Sequence, residues 1–147
     1  MASHAHTQIR DAIVAALTGL PSTGSRVFAN RLRPLLESEL PALRIYADEE
    51  TSNPLTVHFP HMQSRDLSVT IEAVAKHSSG LDDVLDQMSN EVEAAFAGGI
   101  VVGGVKLDPV YIGMSFDDEQ SDKPIGVKRM RFAIQYQAMN NAPDILT

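Results

Sequence analysis

The chain has 147 residues, a length typical of one domain and too short for two ordinary ones. Its 44% hydrophobic and 21% charged residues indicate a globular fold rather than a disordered one. The net charge of −7 disfavours nucleic acid as the main partner, because phosphate binding needs a concentrated basic surface, and the lack of cysteine excludes disulfides and thiolate chemistry.

The first half of the chain predicts one helix followed by short strands. An apolar stripe at helical spacing predicts a helix from about Thr7 to Thr18, with Gly19 and Pro21 ending it. After it we expect a short strand at Val27 and Phe28, a turn or short helical piece over residues 35–40, and strands over residues 42–47 and 55–59. The acidic residues between these last two strands are predicted to lie in a loop. The stripe comprises Ile9, Ile13, Val14, Leu17 and Leu20.

The middle of the chain predicts a long strand followed by a second helix. Apolar and polar residues alternate from Asp66 to Lys76, which indicates a sheet with one buried and one wet face and places Glu72 on the wet face. Ser79 is in the position of an N-cap, and Gly98-Gly99 is a natural stop. The helix between them has an amphipathic stripe of Leu81, Val84, Leu85, Met88, Val92, Ala95 and Phe96.

The last part of the chain predicts a long hairpin. Val110, Ile112, Met114 and Phe116 alternate in its first strand, and a second alternating strand follows Lys123-Pro124-Ile125-Gly126. The predicted fold is therefore a single α+β domain over residues 1–147, in which two main helices pack on one face of a mostly antiparallel mixed sheet with a long C-terminal hairpin. We expect the ends, about 1–6 and 140–147, to be mobile.

No pattern in the chain predicts catalysis or metal binding. The glycines of residues 98–104 lack the Lys-Ser/Thr of a phosphate loop, and the acidic run that begins at Asp117 lacks the Gly and Glu of a calcium loop. His4 with His6, and His58 with His61, have no obvious third ligand. We therefore predict neither an enzyme nor a cofactor or metal site.

Surface charge predicts a different kind of site. Acidic and basic segments on different parts of the chain suit a head-to-tail contact between identical subunits, which closes into a ring when the rotation permits. In this interpretation the charged hairpin is an assembly arm. The predicted subunit or partner interface is Asp48, Glu49, Glu50, Asp117, Asp118, Glu119, Asp122, Lys123, Arg129 and Arg131.

The order of these segments resembles the tail terminator proteins of long-tailed phages, the minor tail protein U-like family. The matching pieces are the first helix, IRDAIVAAL; the proline-introduced strand, ELPALRIYADEE; the long strand and helix, DLSVTIEAVAKHSSGLDDVLDQMSNEVEAAF; and the closing hairpin, GVKLDPVYIGMSFDDEQSDKPIGVKRMRFAIQYQ. Together they span roughly Thr7 to Met139.

The resemblance implies a non-enzymatic virion protein, assembled in the host cytoplasm and located at the head-proximal end of the tail. It implies a homo-hexameric ring that caps the completed tail tube, stops tube polymerisation and presents a surface to the head-completion protein. DNA would pass through this ring without specific binding, and no membrane is involved.

Three other functions remain open at this level. Another neck or head–tail completion protein would share the small size and the loop-borne contacts. A small ligand-binding or enzymatic domain, which could be a dimer, would need an apolar pocket with converging polar groups. A nucleic-acid binder would need Arg31, Arg33, Arg129 and Arg131 to form one continuous patch.

Overall fold

The computed structural model describes residues 3–29, 35–76, 79–119 and 125–147. These residues form two α-helices, one 3₁₀ turn and eight strands, of which the two helices and the long strands follow one another in the predicted order. The elements are α1 (Ala5–Leu17), β1 (Val27–Phe28), the 3₁₀ turn (Glu37–Glu39), β2 (Ala42–Pro54), β3 (Met62–Lys76), α2 (Leu81–Phe96), β4 (Ile100–Val102), β5 (Val105–Leu107), β6 (Pro109–Glu119), β7 (Ile125–Met139) and β8 (Ala142–Leu146).

One mixed sheet dominates the fold. Its strand order is β1-β2-β3-β7-β6, and β8 pairs with β7 beyond the end of β6. The β1–β2 pair is parallel and the other pairs are antiparallel, whereas β4 and β5 form a separate small hairpin. The predicted α+β class, the mostly antiparallel mixed sheet and the C-terminal hairpin are confirmed.

Both helices pack on the same face of this sheet, which we call the helix face. Val69 lies directly opposite Phe132 in the β3–β7 pair, and the Phe132 ring meets the Phe96 ring of α2 edge-on, with 5.0 Å between centroids. Because side chains alternate along a strand, every second residue of β3 and β7 joins this core. The α1 side of the core is Ile9, Ile13 and Leu17, and the α2 side is Leu81, Leu85, Met88, Val92 and Phe96.

The start of α2 differs from the sequence prediction. The N-cap is Gly80, not Ser79, and no side chain caps the helix. Asp82 and Asp83 lie in its first turn, where the helix dipole favours negative charge. Of the predicted stripe, Val84 is exposed.

The β2–β3 hairpin is longer than the sequence suggests. Strand β2 continues through Pro54, so residues 55–59 belong to the connection between β2 and β3 and the predicted separate strand is wrong. The physical reason is cross-strand pairing: Pro54 is still opposite Gln63, and the Leu55 N–H donates to the Met62 carbonyl.

Two chain ends that were expected to be mobile carry regular structure in part. Helix α1 begins at Ala5, and β8 buries Leu146 in the core. Gln8 of α1 donates to the Asp144 carbonyl at 2.7 Å, which links the two ends. The mobility of the outermost residues stays a prediction.

Candidate subunit interface

The first acidic segment, Asp48, Glu49 and Glu50, lies within β2 and not in a loop, which corrects the sequence prediction. A bulge at Asp48 shifts the pairing with β3, so that Glu49 is opposite Ser68 and Glu50 is opposite Leu67. Leu67 belongs to the core. Glu50 therefore points to the helix face, and Glu49 points to the opposite face, which we call the outer face.

Glu50 is held by contacts inside the subunit. The His6 Nε2 atom lies 2.9 Å from its Oε1, and the hydroxyl of Tyr136 donates to the same oxygen. Arg65 contributes a guanidinium nitrogen 3.9 Å from Oε2. Burial, together with the Glu50 carboxylate, raises the pKa of Tyr136 to about 12. The carboxylate of Glu50 thus joins α1, β2, β3 and β7.

A row of charged residues crosses the outer face of the sheet. At its centre Glu72 is only 4% exposed, and Arg129 Nε donates to its Oε2 at 2.8 Å. On the other side Arg44 Nε lies 3.0 Å from Oε1, in an ion pair without hydrogen-bond geometry. Arg129 also donates to Asp117 Oδ2 at 3.2 Å, which carries the row onto β6. Charges from four adjacent strands compensate one another here.

Burial and neighbouring charges shift the pKa values of two side chains in or beside this row. Burial by itself lowers the pKa of Arg129, but its bond to Asp117 and the charge of Glu72 outweigh this effect and raise it. Burial and the charge of Glu72 raise the pKa of Tyr46, which lies beside the row on β2. Glu72 was predicted on the polar face, and the structure confirms the face. Its burial was missed, because alternation does not reveal that two arginines on neighbouring strands flank it.

Arg131 shares the outer face with Arg129, as predicted, but its surroundings differ. It lies opposite Gly113 of β6, and one guanidinium nitrogen is 3.3 Å from the point where a Cβ of residue 113 would stand. The guanidinium group of the arginine therefore lies over β6 at the glycine. In the described part of the chain no hydrogen bond or ion pair holds it, and the side chain is exposed.

The second acidic segment ends β6. Asp117 is half-exposed and paired with Arg129. The side chains of Asp118 and Glu119, and all of Asp122 and Lys123, lie outside the described residues. Of the predicted interface, the structure thus brings Asp117 and Arg129 together, and it places Glu49 and Arg131 on the same face at opposite sides of the sheet. An interface role for any of the ten stays a prediction.

Strand β6 exposes apolar side chains that the charge argument overlooked. A bulge at Ile112 breaks the predicted alternation, so Val110 opposes Ala133 on the outer face while Met114 opposes Met130 on the helix face. Helix α2 makes its main contacts with the sheet on β3 and β7, and Tyr111 of β6 meets the Phe132 ring edge-on, with 5.7 Å between centroids. We define the β6 apolar surface as Val110, Tyr111, Ile112, Met114 and Phe116, which are between 42% and 54% exposed.

A second apolar surface lies at the end of the β2–β3 hairpin. Leu55, Val57 and Phe59 are exposed there, Val57 and Phe59 to 86% and 85%. The Phe59 ring lies 4.4 Å from the ring of His61, whose Nδ1 is 2.9 Å from the Thr56 carbonyl. We call residues 55–61 the hairpin tip. The sequence signal was present as alternation over residues 55–59, but it was interpreted as a strand.

The histidine pairs do not assemble a metal centre in the described residues, where no three His, Cys, Asp or Glu side chains converge. The rings of His4 and His6 are 4.3 Å apart, but His6 is bonded to Glu50. Burial and the neighbouring His6 lower the pKa of His4. No helix in the described residues has the length and apolar content needed to cross a membrane.

Two depressions near the start of β6 share Lys106, Leu107 and Asp108 in their walls. Their volumes are about 400 and 490 Å³. The described residues that line them include neither a hydroxyl nor an imidazole, so these linings hold no pair of the serine–histidine type.

Comparison with known proteins adds a family match. A family model described as phage minor tail protein U matches residues 4–136. Among solved structures, a chain from the virion of a native gene transfer agent particle matches at 14% identity with a TM-score of 0.46, over 90% of this chain and 92% of that chain. Another solved structure, of a protein without a descriptive name, matches at 15% identity with a TM-score of 0.55, over 88% and 93%. No curated protein matches significantly.

Proposed function

Because the chain belongs to the phage minor tail protein U family, we propose that it is a tail terminator. Membership gives the chain a structural role in the phage tail, a place in the virion and association with other virion proteins. The proposal goes further. Six copies form a ring on the completed tail tube, the ring stops tube polymerisation, and its far side provides the surface for the head-completion protein.

The family match carries this proposal, and the distribution of exposed apolar side chains supports it. The β6 apolar surface and the hairpin tip are two separate surfaces on which one subunit exposes apolar side chains to water. Exposed apolar surfaces of this kind mark sites of contact with another protein. Different surfaces at separate positions favour heterologous contacts, which is the contact type of closed rings.

The test is an assay of tube length. The tail tube protein of the same phage is polymerised with and without the chain, and tube lengths are measured in negative-stain images. We expect shorter tubes, each with a ring at one end, and a native mass for the isolated ring of six times the 16.0 kDa subunit. Unchanged tube lengths would contradict termination. Binding to the head-completion protein without an effect on tubes would instead identify another neck component.

A further inference from the structure

We propose that the hairpin tip of one copy docks on the helix face of β6 in a second copy, with Val57 and Phe59 as the contacting side chains. The occupant of the β6 apolar surface is thus a second copy of this chain. This inference names the contact between subunits and therefore rests on the proposed function. The evidence is the ordered structure of the tip, the aromatic row that ends at Tyr111, and the composition of the two surfaces.

Hydrogen bonds inside the subunit give the hairpin tip a fixed shape. The Leu55 N–H donates to the Met62 carbonyl at 2.6 Å, and the Met62 N–H donates to Thr56 Oγ1 at 3.0 Å. The His61 N–H donates to Asn140 Oδ1 at 3.0 Å, and the Asn140 N–H donates to the His61 carbonyl at 2.8 Å. A segment that is already ordered loses little conformational entropy when it binds, so the tip is suited to dock as it stands.

The side chains that this tip presents are large and apolar. Val57 and Phe59 are the two most exposed of the large apolar side chains in the described part of the chain. The Phe59 ring is positioned by the ring of His61, 4.4 Å away. Aromatic side chains are enriched at the centres of protein interfaces, so the tip has the composition of a contact surface.

The receiving surface is the end of an aromatic row that begins in the core. The rings of Phe96 and Phe132 meet edge-on with 5.0 Å between centroids, and the ring of Tyr111 meets Phe132 edge-on at 5.7 Å. Tyr111 is 42% exposed, and Met114, on the same face of β6, is 44% exposed. The Phe59 ring of a second copy would extend the row in the edge-on geometry that aromatic pairs favour. The flexible Met114 side chain can adapt to it.

The composition of the two surfaces favours a second copy as the partner. Residues 51–64 include no Asp, Glu, Lys or Arg, and neither do residues 109–116. The chain as a whole has a net charge of −7, so two copies repel each other, and this repulsion is weakest where the contacting segments are uncharged. Burying these two segments against each other also removes no charged side chain of theirs from water, which would be costly.

The tip of one subunit does not reach its own β6 apolar surface. The tip leaves the sheet beyond the pair of Met62 and Met139, whereas Tyr111 lies opposite Phe132. Residues 132 and 139 are about 23 Å apart along β7, at roughly 3.3 Å per residue. The contact is therefore between copies. Because its two sides are different surfaces, it is heterologous, which is the type of contact that closes into a ring.

The first test is a cross-link between two engineered cysteines, which is specific because the natural chain has no cysteine. His58→Cys is in the exposed tip, and Met114→Cys is on the helix face of β6. The double variant is treated with a bis-maleimide much shorter than the separation of about 23 Å within one subunit. Samples are taken from the chain alone and from the chain bound to tail tubes. The matched control pairs His58→Cys with Asn90→Cys on the exposed side of α2.

We expect a ladder of bands above the dimer for the double variant in at least one sample, and monomers for each single variant and for the control. Dimers from either single variant would overturn the inference, because they indicate contact between two identical surfaces. Monomers of the double variant in both samples would also overturn it. If rings or capped tubes form without a ladder, the proposed function still stands. A ladder with no effect on tube length would support the contact and contradict termination.

The second test removes the contacting side chains. Phe59→Ser is expected to raise the concentration at which half of the chain is in rings by about tenfold, because few anchors carry most of the binding energy of an interface. Val57→Ser is expected to raise it by a smaller factor, since less apolar area is lost. The control is Val101→Ser, the same change at a 66% exposed valine of β4, which should leave this concentration unchanged. An equal effect of Val57→Ser and Val101→Ser would contradict a role of the tip.

A double variant separates a second copy from another partner. Phe59→Ser combined with Met114→Ser should weaken assembly by less than the product of the two single effects, because each change removes the same contact. Independent effects would overturn the inference. Rings that form normally in Phe59→Ser but no longer bind tubes would overturn it as well, and would make the tail tube protein the partner of the tip.

Discussion

Strands β2 and β6 of the sheet differ in the side chains that they expose. The β2 edge is polar and bulged, with Asp48 and Glu49 exposed. Charges and bulges on an edge strand oppose pairing with arbitrary strands. The β6 edge also has a bulge, but its central side chains, from Val110 to Phe116, are mostly apolar and without charge. The two strands therefore expose different chemistry, carboxylates on β2 and apolar side chains on β6.

The comparison extends to the charged residues themselves. Glu72 lies on a central strand, and an arginine on each neighbouring strand compensates its charge. Glu50 lies on the helix face and has three partners inside the subunit. Glu49 lies on the outer face, nearer the edge of the sheet. If this order is correct, the contribution of each carboxylate to the stability of the subunit falls from the middle of the sheet to its edge. The predictions below test that order.

The largest effect is expected for Glu72→Ala. Removing this carboxylate leaves Arg44 and Arg129 close together with less compensation, and breaking a buried ion pair costs about 3–5 kcal/mol. The measurement is the free energy of unfolding from urea titration. Glu49→Ala is the matched control, for which we expect a change within about 0.5 kcal/mol. Equal losses for the two variants would contradict the distinction between the middle of the sheet and its edge.

A smaller loss is expected for Glu50→Ala. The change removes the acceptor of the buried Tyr136 hydroxyl, and an unsatisfied buried donor costs about 1–3 kcal/mol. Urea titration measures it against the same Glu49→Ala control. Tyr136→Phe combined with Glu50→Ala should lose less than the sum of the single variants, because the two groups act on each other. Additive losses would show that they are independent.

The same cluster predicts a dependence on pH. The pKa of Tyr136 is about 12 in the folded chain and about 10 in an unfolded one, so the folded state holds this proton more tightly. The stabilisation is complete below pH 10 and is lost as the pH rises towards 12. We expect the wild-type chain to lose more unfolding free energy over this window than Tyr136→Phe does. Equal losses would exclude this hydroxyl as the cause.

The smallest effect on the subunit is expected at the β6 edge. Val110→Thr replaces one β-branched side chain by another at a half-exposed position, so the unfolding free energy should change by less than about 0.5 kcal/mol. The control is Val69→Thr, which puts a hydroxyl into the core at a cost of about 1–3 kcal/mol. A comparable cost at both positions would mean that β6 is covered within its own subunit.

Much of the fold is predictable from the sequence because the signals are local. The stripe of Ile9, Ile13 and Leu17 has helical spacing, and the alternation around Val69 and Ile71 has strand spacing, so both element types are confirmed. Pairing between distant segments is not local. The bulge at Ile112 and the continuation of β2 to Pro54 depend on which residues face them across the sheet, and the sequence does not state these partners.

The candidate interface was predictable only in part, for the same reason. The sequence by itself determined the two helices, the long alternating strands and the presence of opposite charges near the hairpin. Only the tertiary structure decided that Arg129 pairs with Glu72 inside the sheet while Arg131 lies over β6, and that the apolar side chains of β6 stay about half-exposed. Alternation assigns a side chain to a face, but burial depends on what packs over that face, and this is settled when the chain folds.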